Sequence, residues 1–83
     1  MDKPPFPLYR RSANGLNWYR IDSAMELTEV QRVGRRFVVH RMVAHVYPEK
    51  VRIMALMAMD DGHVVACGAE EVEGLLVEIG SRE

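Results

Sequence analysis

Asn14-Gly15 lies between two runs rich in aromatic and aliphatic side chains, Phe6 to Ala13 and Leu16 to Asp22. Both central residues of a type I′ turn need positive φ, which Asn and Gly tolerate best, so this dipeptide is a strong hairpin signal. Two antiparallel strands over 6–13 and 16–22 are predicted. A two-residue turn also sets the register: Leu8 faces Ile21, Tyr9 faces Arg20, Arg10 faces Tyr19, Arg11 faces Trp18 and Ala13 faces Leu16. Alternation sorts these side chains onto two faces. One carries Leu8, Arg10, Tyr19 and Ile21, and can pack on a core if the Arg10 head reaches outward. The other interleaves two aromatics with two arginines: Tyr9, Arg11, Trp18 and Arg20.

Around this hairpin the chain reads as one domain over 6–80, with a proline-broken extended lead-in at 1–5 and a short tail at 81–83. Ser23 followed by Glu26 resembles a capping box, and Ala24, Leu27, Val30 and Val33 repeat on one helical face. Gly34 suits the left-handed position that ends a helix, so a helix over 24–33 is predicted. Residues 35–47 contain a β-branched run from Phe37 to Tyr47 without Gly or Pro, which predicts a long strand.

Residues 48–59 read either as a helix opened by Pro48 and Glu49 or as a buried strand. Helix is preferred for its Ala, Met and Leu content. A short strand over 62–68 and an amphipathic helix over 69–79, with Val72, Leu75, Leu76 and Ile79 on one stripe, complete the order ββαβ(α)βα. The expected fold is α+β: a small, largely antiparallel sheet led by the N-terminal hairpin, with two or three helices packed on one face.

With 83 residues there is room for one core, and 48 % hydrophobic with 28 % charged residues argues for a folded chain. Cys67 is the single cysteine, so no internal disulfide can form, and a reducing cytoplasm is the expected compartment. No secretory leader and no apolar run of membrane-spanning length is visible, so no membrane association is expected. The net charge of −1 hides an asymmetry: ten Lys and Arg against five Asp and Glu before Ile53, and one against seven from there on. Its plain reading is that the two halves lie together and neutralise each other.

Chemistry is sparse. His40 and His45 fall on opposite faces of a strand, and His63 and Cys67 stand about 13 Å apart if that segment is extended, so no metal site is expected. Cys67 lies in an apolar run, and only its place ahead of a helix N-terminus suggests an activated thiol, which makes an enzyme the third-ranked reading. Asp60-Asp61-Gly62 is turn chemistry before it is a carboxylate pair. No phosphate-cradling glycine loop is present, and neither a cofactor nor a small-molecule ligand is inferred.

Two surfaces remain. In a small sheet that cannot enclose it, the apolar stretch Ile53, Met54, Leu56, Met57 and Met59 has area left for a partner, which points to a non-enzymatic interaction module. Such a module is a homodimer or a small subunit of an assembly, binding itself or another protein. The alternative is binding of single-stranded nucleic acid, RNA in particular, with bases stacked on Tyr9 and Trp18 and phosphates held by Arg11 and Arg20. The near-neutral total charge weighs against that alternative.

Overall fold

The computed structural model describes residues 5–60 and 62–82. Most of the proline lead-in, Asp61 of the expected turn and Glu83 of the expected tail lie outside the described residues. The elements follow in the order β1 (Leu8–Ser12), β2 (Asn17–Ser23), β3 (Glu26–Val33), β4 (Arg36–Val43), α1 (Tyr47–Ala58), β5 (Val64–Ala66) and α2 (Ala69–Arg82). They build one five-stranded sheet, ordered β4-β3-β2-β1-β5, in which every pairing is antiparallel. The α+β class and the leading hairpin are as expected, and the segment preferred as helix at 48–59 is α1.

The β1–β2 register is the expected one: Leu8 opposite Ile21, Tyr9 opposite Arg20, Arg10 opposite Tyr19 and Arg11 opposite Trp18. The turn itself is wider than a two-residue type I′ loop. Gly15 has φ 75°, but Met59 is the one non-glycine with positive φ among the described residues, so Asn14 does not adopt the I′ conformation. The Gly15 N–H donates to the Ser12 carbonyl at 2.9 Å. The buried Ser12 hydroxyl accepts from the N–H groups of Leu16 and Asn17 and donates to Asn14 Oδ1. Ala13 to Leu16 therefore form a four-residue loop with the same midpoint as the two-residue one, and both faces keep their membership.

The element order departs from ββαβ(α)βα at one place. Residues 26–33 are strand β3, not helix. The Ser23 hydroxyl accepts from the Met25 N–H and donates to Glu26, so the residues of the apparent capping box instead close a turn that returns β2 as β3. The apolar spacing misleads because both faces of β3 are covered. Leu27 is buried on one side and Val30, with Thr28, on the other, and a strand buried on both faces loses its simple alternation. Gly34 does have positive φ (63°), but as the first central residue of the two-residue Gly34-Arg35 turn between Val33 and Arg36, the type II′ position.

The helices pack on opposite faces of the sheet instead of sharing one. Against α1 lies the main core of Tyr19, Ile21, Leu27, Ala44, Ile53 and Leu56, flanked by Phe6, Leu8, Met42, Met57 and Val64. On the other face α2 buries Val72, and Val30 of β3 is equally sealed. That helix runs past its expected end at 79 through Ser81 to Arg82, the Ser81 hydroxyl donating to the Glu78 carbonyl, so the expected tail is mostly helix. Arg10 points into the main core, and its head does not reach outward to water. Its guanidinium donates to the carbonyls of Leu56 and Met57 at the C-terminal end of α1, where no basic residue of the helix itself stands.

Candidate interaction surfaces

The aromatic–arginine row assembles on the α2 face as the register requires, and the N-terminal part of α2 lies over it. Glu71 accepts from Arg11 Nη1 at 3.2 Å and from Trp18 Nε1 at 2.8 Å. Glu73 accepts from the Tyr9 hydroxyl at 2.7 Å and from Arg20 Nη1 at 2.8 Å. Arg20 Nε also reaches Asp22, whose second oxygen takes the Thr28 hydroxyl. The Tyr9 contact, with help from Arg20, holds the Glu73 carboxyl below its ordinary pKa, and the same contact pushes Tyr9 up. Trp18 meets Phe37 of β4 edge to face, ring centres 6.0 Å apart. Basic first half and acidic second half thus meet across the α2 face, and all four residues of the row spend their polar ends on two glutamates.

The apolar stretch divides. Ile53 and Leu56 are core residues, and Met57 packs half-buried against the same core. Only Met54, 62 % exposed, stands clear, while Met59 is half-buried in the left-handed position that ends α1, with φ 55°. Ile53 and Leu56 therefore cannot meet a partner without unpacking the helix. What α1 offers outward is a different stripe, Tyr47, Val51 and Met54, at helical spacing. Sequence periodicity could not separate the two sides because nearly every position is apolar.

One surface escaped sequence reasoning. Strand β4 lies at the end of the sheet, with β3 on one side and, among the described residues, no strand on the other. A two-residue turn makes Val33–Arg36 a hydrogen-bonded pair, and in an antiparallel ladder such pairs recur at every second residue. The Ala44 N–H donating to the Met25 carbonyl at 2.7 Å keeps that phase at the far end. Arg36, Val38, His40 and Met42 thus bond inward to β3, while Phe37, Val39, Arg41 and Val43 direct their N–H and C=O groups to the open side. Val38 and Val43 are exposed on the strand, with Val33 and Val46 exposed just beyond its ends. Beside it, a cleft of about 380 Å³ is lined by Leu27, Glu29, Gln31, His40, Met42 and Arg52, with Arg52 bonded to Glu29 at 2.7 Å. The signal for this edge was Val33-Gly34-Arg35-Arg36, a hairpin turn once 26–33 is read as strand.

Charge is unevenly spent. Arg11, Arg20 and Arg52 are ion-paired, whereas Arg35, Arg36 and Arg41 have no ion pair or hydrogen-bond acceptor among the described residues. These free cations belong to β4 and the turn that leads into it.

Cys67 sits half-buried between β5 and α2. Burial, with Glu71 nearby, pushes its thiol pKa up, opposite to the activation that its place before a helix suggested. No group of three His, Cys, Asp or Glu among the described residues could hold a metal ion, and no helix among them is long and apolar enough to cross a membrane. Comparison with protein-family models, with curated proteins and with solved structures finds no match to this chain.

Proposed function

We propose that this chain is a non-enzymatic interaction module that joins another protein segment by strand addition at the open edge of β4. One observation carries the reading: an eight-residue edge strand whose alternate backbone groups have no strand to bond among the described residues, with exposed valines along it. Long edges of this kind are templates for a further strand, and folded proteins usually shorten, kink or cover them. Arg36 and Arg41 are protective features of β4, and they oppose any register that sets a partner's cation directly across from them.

The test is a titration with a synthetic eight-residue peptide of alternating Val and Thr, followed by proton–nitrogen spectra. The amides of Phe37, Val39, Arg41 and Val43 are expected to shift and to gain exchange protection, and Val39→Pro, which removes an outward N–H, should abolish both. Shifts confined to α1 or α2, or binding that survives the proline, would overturn the reading. Single-stranded nucleic acid at Tyr9, Arg11, Trp18 and Arg20 stands second, because a nucleic-acid strand must first displace Glu71 and Glu73.

A further inference from the structure

Resting on the strand-addition reading, we infer that the strand received by β4 is β4 of a second copy, paired antiparallel about a two-fold axis at Val39. Strand addition keeps the sheet continuous, so opposed residues share a face, and outward-bonding residues meet outward-bonding residues. Two identical strands related by a two-fold axis must then be centred on a single residue.

The candidate centres differ in what they oppose. Centring on Val38 brings Arg35 of the turn level with the partner's Arg41. Centring on His40 sets two imidazoles together at the closer spacing of a non-hydrogen-bonded pair, and centring on Arg41 opposes two guanidinium groups. Like charges directly opposite oppose pairing. Centring on Val39 pairs Arg36 to Met42 with its own copy and avoids every such clash. Arg36 then faces the partner's Met42, His40 faces the partner's Val38, and Arg41 faces the partner's Phe37.

Both arginines of β4, and His40, meet an apolar side chain in this register. Arg41 on the face of Phe37 is a cation–π pair that continues the Trp18–Phe37 contact across the axis. The exposed Val38 is covered, and the two clefts lined by Leu27, His40 and Met42 come to lie on either side of the seam. An acidic peptide would also suit the unpaired arginines, but β4 contains no acidic residue, and self-pairing needs none.

Cys67 is the single cysteine, so crosslinking in a Cys67→Ala background reads the register directly. Val38→Cys and His40→Cys should oxidise to a mixed disulfide at least about tenfold faster than either variant alone, since Cβ atoms of directly opposed residues lie about 4.5–5.5 Å apart. Val77→Cys, on the exposed side of α2, gives the background rate. Sedimentation of the unmodified chain at about 10 and 500 µM provides a measure free of substitutions, with a shift towards dimer expected.

Preferential self-crosslinking of His40→Cys, or crosslinking no faster than the Val77 control, would overturn the Val39 register. A chain that stays monomeric at the higher concentration would remove the second copy. If the Val-Thr peptide still shifts the β4 amides in that case, strand addition stands and the occupant is a different chain.

Discussion

Arg10 Nε lies 3.1 Å from the carbonyl oxygen of Leu56, so a buried arginine on the second-last strand of the sheet closes the end of the helix lying across it. The last carbonyls of a helix have no partner within it, and a cation at that negative end is favoured. Hydrogen bonds to charged groups are worth about 1.5–3 kcal/mol each, and burying a carbonyl without its donor costs about as much again. Arg10→Met, which keeps the apolar stem, is therefore expected to lower unfolding free energy by about 2–4 kcal/mol in urea titrations. Arg10→Lys should recover less than half, because an ammonium cannot reproduce the guanidinium fork. A loss under about 0.5 kcal/mol in Arg10→Met would show that the cap is idle.

Glu73 gives the fold an acid limit. Its folded pKa is depressed, first by the Tyr9 hydroxyl and then by Arg20, so its contribution is present above the ordinary carboxylate pKa and is lost as pH falls through the lower folded value. Melting temperature is expected to fall below about pH 4.5, and Glu73→Gln should be less stable at neutral pH but flatter through that range. The carbon-13 titration midpoint of the Glu73 carboxyl provides the check. A midpoint at or above that of a free glutamate would contradict the assignment. Because the carboxylate is partly exposed, the effect should shrink in salt.

Removing both glutamates uncovers the aromatic–arginine row. Glu71→Ala with Glu73→Ala is expected to raise affinity for a single-stranded oligonucleotide at least about tenfold over the unmodified chain, with strong salt dependence. Fluorescence anisotropy at two salt concentrations measures it. Equal affinity in both proteins, or binding that ignores Trp18→Ala, would leave the row as a structural contact between sheet and helix.

Met59 holds a left-handed conformation that costs an L-residue about 1–2 kcal/mol. Its N–H donates to the Ala55 carbonyl, an arrangement glycine adopts without strain. Met59→Gly is expected to raise stability by about 0.5–1 kcal/mol, net of the half-buried side chain it removes. Thermal or urea unfolding decides it, and destabilisation would show that the thioether packs more tightly than its half-burial implies.

The hairpin, its register and both helices were legible in residues that act locally. Asn14-Gly15 marked the midpoint, Pro48 and Glu49 opened α1, and the Val72–Ile79 stripe marked α2. Segment 24–33 was not legible, because Ser23 and Glu26 serve a turn as readily as a helix cap, and a strand covered on both sides shows no period of two. That one reading hid the β3–β4 hairpin and with it the exposed edge. The aromatic–arginine row falls on the face that alternation assigns it, while its cover was visible only as the acidic excess after residue 53, which pointed to neutralisation of the first half without saying which glutamates meet which cations. Which methionines of α1 face outward depended on where the sheet lay, a long-range fact that no window of sequence contains.

The two ends of the sheet are unequal. At the far end from β4, β5 offers only Val64–Ala66, too little ladder to template another molecule. Proteins with generous borders on both sides can polymerise without limit, as in amyloid, each newcomer presenting a fresh acceptor. Here the proposed union through β4 would consume the more generous border of each participant. Growth would then stop at the proposed pair, and a hydrophobic margin that could otherwise invite fibrils would be covered by its own twin.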